Sequence, residues 1–311
     1  MWKLWKGPGR LAAAAMFAGL FGSTLLASIS PGTLNYFEGR ASIDGQHLTS
    51  KAPGSTSLSP NQVLSTENGK AEVLLIPGTY LRLGDDTSIR MVSPSITDTR
   101  FEVQHGEAML EVDEFHKQNN ITVMQNGGTA QIQQKGLYRF NADHDSVAVY
   151  DGKAEVWSDD HHVTLKKGKE AFLNQQPLKA EKFDRDSHDP LYAWSSLRSK
   201  YEAEASTQYA SSIVVANSPW WGPGWYWNPY WGTYGFVPGA GVLYSPFGWG
   251  FYSPLVIERS PVILHRYVPV RPVNPGFGVN PGFRGPGLHR GLPGGGTRAP
   301  MGGFHGGMRR R

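Results

Sequence analysis

The stretch NGKAEVLLIPGTYLRLG, residues 68–84, decides the fold class of this chain. It consists of one aliphatic run closed by a Pro-Gly pair and a second short run closed by glycine. Two such runs separated by a turn dipeptide predict paired β-strands. Because successive side chains of a strand point to opposite faces, Leu81 and Leu83 are expected to face the interior and Arg82 the solvent.

The same pattern continues on both sides of this stretch, from about Leu34 to Leu173. Short apolar or alternating runs are cut by Gly, Pro, Asn and Asp, with no convincing 3.6-residue period. Strands at roughly 8–12-residue spacing predict an all-β sandwich, a barrel or a short twisted solenoid. The runs lie at residues 71–76, 80–83, 89–92, 100–103, 109–112, 121–123, 130–132, 137–140, 147–150, 155–157, 162–165 and 171–173.

A weak internal repeat accompanies these runs. The pattern Gly, charge, Ala, any residue, apolar starts at Gly69, Gly106 and Gly152, and a looser copy starts at Gly168. The first three copies are 37 and 46 residues apart, which is too irregular for a propeller or a regular solenoid. Two explanations of the pattern remain open: duplication of a structural unit, or the ordinary recurrence of a glycine turn before a strand in β proteins.

Several blocks of this region resemble FecR-type domains. They are residues 68–84 with the turn at 86–88, residues 101–112, and the Gly-Leu-Tyr-Arg-Phe strand at 136–140. The blocks follow the family's order, and the similarity extends from Asn35 to Leu173. The resemblance implies an all-β exported domain, here placed at residues 34–180, that serves interaction or sensing and has no catalytic machinery.

The chain differs from the FecR-type regulators of sigma factors. Those regulators have a cytoplasmic sigma-binding segment, a transmembrane helix and a C-terminal domain that meets an outer-membrane transporter. Here about ten residues precede the first apolar run, and aromatic, Gly- and Pro-rich sequence follows the β region. The chain therefore looks more like stand-alone exported FecR-domain proteins, and the transmembrane anti-sigma role is not expected of it.

One helix is predicted after the β region, at residues 189–209. Asp189 is a suitable N-cap, and Pro190 suits the first helical position. Glu202 and Glu204 are expected on the polar faces, and the helix is expected to end near Gln208. Apolar residues recur at three- or four-residue steps and are interpreted as packing residues: Leu191, Trp194, Leu197, Tyr201, Ala205 and Tyr209.

An aromatic segment is expected at residues 217–258. Between Trp220 and Tyr252 lie six Trp, five Tyr, three Phe and no charged residue, and Gly and Pro exclude a helix. The same FecR-domain proteins often continue into Trp-Asn-Pro and Ser-Pro-Phe-Gly-Trp-Gly patterns, as residues 227–229 and 245–250 do.

Three interpretations of this irregular segment remain open. It is a compact cover over the helix and β domain, a docking surface for sugars or peptides, or an interfacial membrane element. The absence of Lys and Arg argues against the third. The candidate interaction residues are Trp220, Trp221, Trp225, Trp227, Tyr230, Trp231 and Trp249.

The first 30 residues have the pattern of an export signal. Lys3, Lys6 and Arg10 precede an uncharged run at residues 11–29. As a helix, this run would reach about 28 Å, close to the roughly 30 Å of a bilayer core. It is therefore interpreted as a signal peptide or as an inner-membrane anchor, and both place the rest of the chain in the periplasm or at the cell surface.

The charges are sorted along the chain. All 26 acidic residues lie between Glu38 and Glu258 with 18 Lys and Arg, so this part is acidic, whereas nine Arg and no acid follow from Arg259 on. Residues 259–311 are rich in Gly and Pro and are predicted to be disordered. An acidic body argues against nucleic acid as a partner. The Arg-rich tail suits anionic lipid, polysaccharide or another copy's carboxylates.

No residue constellation predicts catalysis, a metal or a cofactor. The chain has no Cys and lacks the common hydrolase, zinc-protease and phosphate-loop motifs. The runs at 143–145 and 159–162 contain Asp and His but are interpreted as polar turns. The function predicted is a non-catalytic interaction or sensing module of the cell envelope, whose partner is an unidentified envelope protein. The alternative is a structural envelope protein that binds polysaccharide through its aromatic residues.

Overall fold

The computed structural model describes residues 29–187, 189–220 and 222–260. The chain is mainly β, with one long helix after the sheet, as the sequence predicted. Each of the twelve predicted runs falls on a strand, although residues 75–76 and 173 lie just past the ends of β3 and β14. The predicted leader and the Arg-rich tail past Ser260 lie outside the described residues.

The strands are short, and most are joined by tight turns. They are β1 (Thr33–Ile43), β2 (Gln46–His47), β3 (Val63–Leu74), β4 (Thr79–Leu83), β5 (Ser88–Pro94), β6 (Asp98–His105), β7 (Glu107–Val112), β8 (Asn120–Gln125), β9 (Gly128–Ile132), β10 (Gly136–Asn141), β11 (Ser146–Asp151), β12 (Lys153–Ser158), β13 (His161–Lys166), β14 (Lys169–Phe172), β15 (Glu181–Lys182), β16 (Gly224–Asn228), β17 (Thr233–Val237), β18 (Val242–Tyr244) and β19 (Gly250–Tyr252). The helices are α1 (Pro190–Val215) and α2 (Pro254–Arg259).

Strands β1 to β15 form a single 15-stranded sheet within the described residues. Its order is β13-β12-β9-β8-β6-β5-β3-β4-β7-β10-β11-β14-β15, with β1 beside β3 and β2 beside β1. Neighbours are antiparallel except β6 and β8, which are parallel. The strands that follow Gly69, Gly106 and Gly152 belong to this sheet without being direct neighbours, so they do not stack as consecutive repeats.

The sheet folds over on itself around one apolar core. Phe101 of β6 and Phe140 of β10 belong to the same buried cluster, although several strands separate them in the hydrogen-bonding order. Leu81 and Leu83 also point into this core, as the alternation of the quoted stretch predicted. Strands β6 and β10 also approach each other directly, so the sheet curls until distant strands share one core.

Gly106, between β6 and β7, occupies a turn that a side chain cannot enter. Its φ is +75°, and a Cβ there would lie 2.4 Å from the carbonyl oxygen of Asp86. We expect Gly106→Ala to lower the free energy of unfolding by more than the roughly 1 kcal/mol typical of an unsuitable backbone conformation. Chemical denaturation would measure the change.

Gly45 is the matched control for this substitution. Its φ is +78°, but a Cβ there would have nothing within 4 Å. Gly45→Ala therefore reports the backbone cost alone. Equal losses of stability in the two variants would show that the contact with Asp86 is not what excludes a side chain at Gly106.

Helix α1 begins where the sequence predicted and ends later. The Asp189 side chain accepts a hydrogen bond from the backbone N–H of Tyr192 at 2.6 Å, and Pro190 is the first helical residue. The helix continues past Gln208 to Val215 and is followed by Asn217 at a φ of +47°. A polar residue with positive φ is a common helix terminator, and it was overlooked in the sequence.

The aromatic segment is more regular than expected. Strands β16 and β17 form one hairpin, β18 and β19 form another, and α2 follows. Residues of both hairpins pack with α1 and the sheet in a second buried cluster of Leu74, Tyr80, Ala203, Phe236 and Phe251.

In the described ranges, neither helix is long and apolar enough to span a membrane.

Candidate functional site

The outer face of strands β3, β4 and β7 is covered by α1 and the β16–β17 hairpin. Two predictions of the sequence analysis are wrong here. Arg82 does not face solvent, and Glu202 does not lie on a polar outer face of α1, because both side chains are completely buried. The reason is that α1 and the β16–β17 hairpin close the face of the sheet opposite the main core. These elements follow Arg82 in the sequence by more than a hundred residues.

Arg82 links the two strands on either side of β4. Its Nε donates to Oε2 of Glu72 at 2.7 Å, and its Nη1 donates to Oε2 of Glu111. The remaining oxygen of Glu111 accepts from the hydroxyl of Ser199 in α1 at 2.6 Å. The guanidinium and both carboxylates are fully buried, so each ion depends on the others for its stabilisation.

Arg198 of α1 joins the helix to the sheet. Its Nη2 donates to Oε1 of Glu72 at 2.8 Å and to Oε1 of Glu202 at 2.6 Å. Its guanidinium also lies 4.1 Å from the ring centroid of Tyr36, a cation–π contact. The same oxygen of Glu202 accepts from the hydroxyl of Thr233 in β17 at 3.0 Å.

Asn35 of β1 completes the connection between sheet, helix and hairpin. Its amide nitrogen donates to Glu72 at 2.9 Å and to Glu202 at 3.2 Å. Its amide oxygen accepts from the backbone N–H of Tyr234 in β17 at 2.8 Å. One side chain therefore fixes the relative positions of β3, α1 and β17.

Three carboxyl groups of this buried cluster have pKa values shifted in different directions. Burial alone would raise the pKa of Glu72, but the charges and hydrogen bonds of Arg198 and Arg82 lower it to about 2. Burial, followed by the charge of Glu72, raises the pKa of Glu202 well above its ordinary range. Burial, followed by the charge of Glu111, does the same to the pKa of Asp113, the residue after β7.

The predicted aromatic site residues are mostly anchors of the hairpins. Trp225 packs edge-on against Tyr80 of β4, with centroids 5.1 Å apart. Trp231 stacks on Tyr201 of α1, and its indole N–H donates to Gln208 at 3.0 Å. These contacts agree with the interpretation of the segment as a compact cover.

Trp249 is anchored on the next part of α1. Its indole N–H donates to the carbonyl oxygen of Ser196 at 3.1 Å, and the ammonium of Lys200 lies 5.6 Å from its ring. The packing residue Trp194 is half-buried, 6.4 Å from the ring of Tyr36, whereas Leu197 is exposed. Of the predicted packing residues, Leu191 and Ala205 are thus buried, Tyr201 and Tyr209 are half-buried like Trp194, and Leu197 alone is exposed. The rest of the buried face of α1 is largely polar, which the apolar stripe did not predict.

Two of the predicted residues have substantial exposed surface. Tyr230 is 75 % exposed and meets Trp231 edge-on at 5.5 Å. Trp227 is 39 % exposed, lies edge-on to Tyr234, and has its six-membered ring against Gly54. Trp220 is half-buried, and Trp221 lies outside the described residues. The structure thus brings Tyr230 and Trp231 together and spreads the other described candidates along the cover.

The polar runs considered in the sequence form turns. Asp159 and Asp160 make the two-residue turn between β12 and β13, and His161 and His162 begin β13 as exposed residues. Residues 143–145 lie in the turn between β10 and β11. The described residues contain no group of three or more acidic or histidine side chains arranged to hold a metal ion.

A groove of about 500 Å³ lies apart from the aromatic residues, at the β1–β2 turn and the loop that follows. Polar side chains, among them Asp44, His47 and Lys51, line much of it. The Asp44 carboxylate is already used within the fold, since it accepts from the backbone N–H of Val63 at 2.9 Å.

Comparison with known proteins gives matches to part of the chain. Two crystal structures of a candidate anti-sigma factor from Parabacteroides distasonis are similar. One has 17 % identity and a TM-score of 0.36, over 43 % of this chain and 64 % of the other. The second has 14 % identity and a TM-score of 0.35, over 49 % and 72 %. This chain thus spans less than two thirds of the first. No curated protein matches the sequence.

The family described as FecR protein matches residues 62–155, which run from the end of the loop before β3 into β12. This range contains the strand pair with Glu72 and Arg82, the β7 residue Glu111, and all three blocks that carried the sequence resemblance. The part of the sheet that holds the buried cluster is therefore a FecR domain, at residues 62–155 of the chain.

Proposed function

We propose that this chain is a non-catalytic interaction or sensing protein of the cell envelope whose partner contacts the exposed rings of the aromatic cover. The FecR domain supports a regulatory or sensing role. The observation that carries the docking surface is the position of Tyr230. It is three-quarters exposed, yet it rests on Trp231, which is fixed by Tyr201 and Gln208 of α1.

A rigidly supported aromatic ring is well suited to binding. Tyr and Trp offer large contact areas at little cost in side-chain entropy, and they dominate the energetics of protein interfaces. Trp227 adds a second, partly exposed ring on the same hairpin, in β16 and three residues before Tyr230. A protein partner is our first choice, because FecR-type relatives act through other proteins.

Polysaccharide is the second candidate partner. Flat aromatic faces also stack on sugar rings, and Tyr230 presents such a ring to solvent. The proposed location is the periplasm or the cell surface, supported by the basic residues and uncharged run of the first 30 residues.

A photocrosslinking amino acid at position 230, in the full chain and in intact cells, would test the docking surface. We expect a discrete crosslinked product whose yield falls at least tenfold when Trp227 is also changed to Ala, equivalent to about 1.4 kcal/mol of binding. The same amino acid at Ile96, an exposed apolar position of the β5–β6 turn, is the matched control.

Digestion of the product identifies the partner class. A protease-sensitive product supports a protein, and a glycosidase-sensitive product supports the polysaccharide alternative. Equal crosslinking from positions 230 and 96 would contradict the assignment of the surface. Trp225→Ala and Trp231→Ala are poor probes, because both rings hold the cover in place and their loss would alter stability as well as binding.

A further inference from the structure

The buried cluster contains more acidic than basic groups. Four carboxyl groups, those of Glu72, Glu111, Asp113 and Glu202, are fully buried. The guanidinium groups within their hydrogen-bonding network are those of Arg82 and Arg198. If every acid were ionised, this sealed region would carry two uncompensated negative charges, which a low-dielectric interior does not tolerate.

Hydrogen bonding separates the four carboxyl groups into two kinds. Both oxygens of Glu72 accept from cationic or amide donors, and both oxygens of Glu111 accept from Arg82 or Ser199. These two groups have the partners that a buried carboxylate requires.

Glu202 and Asp113 lack such partners. Oε2 of Glu202 accepts no hydrogen bond from any group the structure describes, although Oε1 accepts three. Among the described residues, neither oxygen of Asp113 accepts from an N–H or O–H donor, and both are inaccessible to solvent. Its polar neighbour is the carboxyl group of Glu111, which can hydrogen-bond to Asp113 only if one of the two groups holds a proton. A bare buried oxygen costs far less in a neutral carboxyl group than in a carboxylate.

We propose that the cluster binds two protons, one on Glu202 and one on Asp113, and that their loss releases α1 and the two hairpins from the outer face of the sheet. Two protons make the cluster neutral, with Glu72 and Glu111 balancing Arg82 and Arg198. The raised pKa directions of Glu202 and Asp113 agree with this assignment.

The surroundings of Glu202 disfavour its ionised form. Glu72 of β3 repels a second negative charge, while Arg198 of α1 and Arg82 of β4 attract one. Tyr80 of β4 faces both Glu202 and Asp113, and burial, followed by the negative charge that these two groups would carry if ionised, raises the pKa of its phenol well above the ordinary range. The phenol therefore stays neutral and supplies no positive charge that could balance either carboxylate.

Asp113 has a similar environment. Glu111 of β7 repels a negative charge there, whereas Arg82 of β4 and Lys135, just before β10, attract one. Arg82 already serves two carboxylates, so it has little capacity to neutralise a third.

The sign of the pH dependence follows from these protons. Above the ordinary pKa of a carboxyl group, the unfolded chain has lost both protons and the folded chain retains them. Unfolding then releases protons, so stability falls as pH rises through the range below the folded-state pKa values. At the acid end the sign is reversed, because Arg198 and Arg82 lower the pKa of Glu72 to about 2: its stabilising contribution is lost as pH falls from about 4.5 towards 2.

Denaturant titrations of the full chain at several pH values between 5.5 and 8.5 would measure this linkage. Each retained proton raises the unfolding constant about tenfold per pH unit. Glu202→Gln and Asp113→Asn replace a neutral acid by a neutral amide of similar shape. The unfolding constant of the wild type is expected to rise about a hundredfold per pH unit. Each single variant should lower this rise to about tenfold per unit, and the double variant should abolish it.

Glu204→Gln is the matched control, because Glu204 is on the same helix, partly exposed, 3.9 Å from Lys200. It should leave the pH dependence of wild type unchanged. An identical pH dependence in wild type, Glu202→Gln and Asp113→Asn would overturn the proposal.

A measurement on the wild-type chain alone covers the case in which the amide variants do not fold. Hydrogen exchange, expressed as protection factors to remove the intrinsic effect of pH, should show α1 losing protection with rising pH while β10 and β11 keep theirs. Constant protection of α1, or equal losses in α1 and in those strands, would overturn the proposed release of α1 and the two hairpins.

Discussion

Replacing Arg82 by methionine will lower the free energy of unfolding by about 3–5 kcal/mol. Methionine occupies a similar volume but leaves the carboxylates of Glu72 and Glu111 without their shared guanidinium, and both are fully buried. Arg198 still contacts Glu72 and does not reach Glu111 in the hydrogen bonds described. Equilibrium denaturation followed by circular dichroism would measure the loss.

Arg90→Met is the control for the same chemical change. Arg90 pairs with Glu102 on the sheet surface at 2.8 Å, with 36 % and 27 % of the two side chains exposed. Such pairs contribute at most about 1 kcal/mol. A similarly small loss of stability in Arg82→Met would mean that the buried cluster does not stabilise the packing of α1 on the sheet.

Truncating Phe236 will have an effect of comparable size. This residue of β17 is fully buried with Leu74 and Tyr80 of the sheet, Ala203 of α1 and Phe251 of the second hairpin. Phe236→Ala leaves a cavity where the three parts of the molecule meet, and changes of this type cost about 3–5 kcal/mol. Denaturation should show one transition at lower denaturant concentration.

Tyr230→Ala removes an aromatic ring of the same segment that is mostly in solvent. It should alter the free energy of unfolding by no more than about 0.5 kcal/mol. If Phe236→Ala were equally mild, the hairpins would be an independent appendage, and the description of the aromatic segment as part of the domain would be wrong.

The sequence was most informative where structure depends on local alternation. The runs between residues 71 and 173 are strands because β-branched and aliphatic residues alternate with polar ones and are bounded by turn residues. The cap formed by Asp189 and Pro190 was likewise readable, since capping depends on adjacent residues.

The buried cluster was not readable, because its burial is non-local. The alternation around Arg82 shows that it points away from Leu81 and Leu83, but not what covers that face. That face is covered by α1 and β17. The residues buried beneath them are charged, and what allows their burial is pairing with opposite charges rather than apolar character. A signal was available: Arg198 and Glu202 are spaced i,i+4 and occupy the helix face with small Ser and Ala residues.

The Trp- and Tyr-rich segment could be recognised only as aromatic. Its glycines and prolines exclude a helix but do not fix strand pairing, since the β16–β17 hairpin depends on contacts with α1 and Tyr80. Composition likewise did not distinguish anchoring rings such as Trp225 from exposed ones such as Tyr230.

The hydrogen bond between Asn35 and Tyr234 has a consequence for how the chain is made. The two residues are 199 positions apart, so the first strand is synthesised long before its partner in β17 exists. At about 5–20 residues per second, translation of the intervening chain takes roughly 10–40 s. Any part of the sheet that forms before β17 is available exposes a face bearing Glu72 and Arg82. Their charges are expected to keep this face hydrated and to disfavour its association with other chains. An apolar version of this face would be more exposed to aggregation in the same interval.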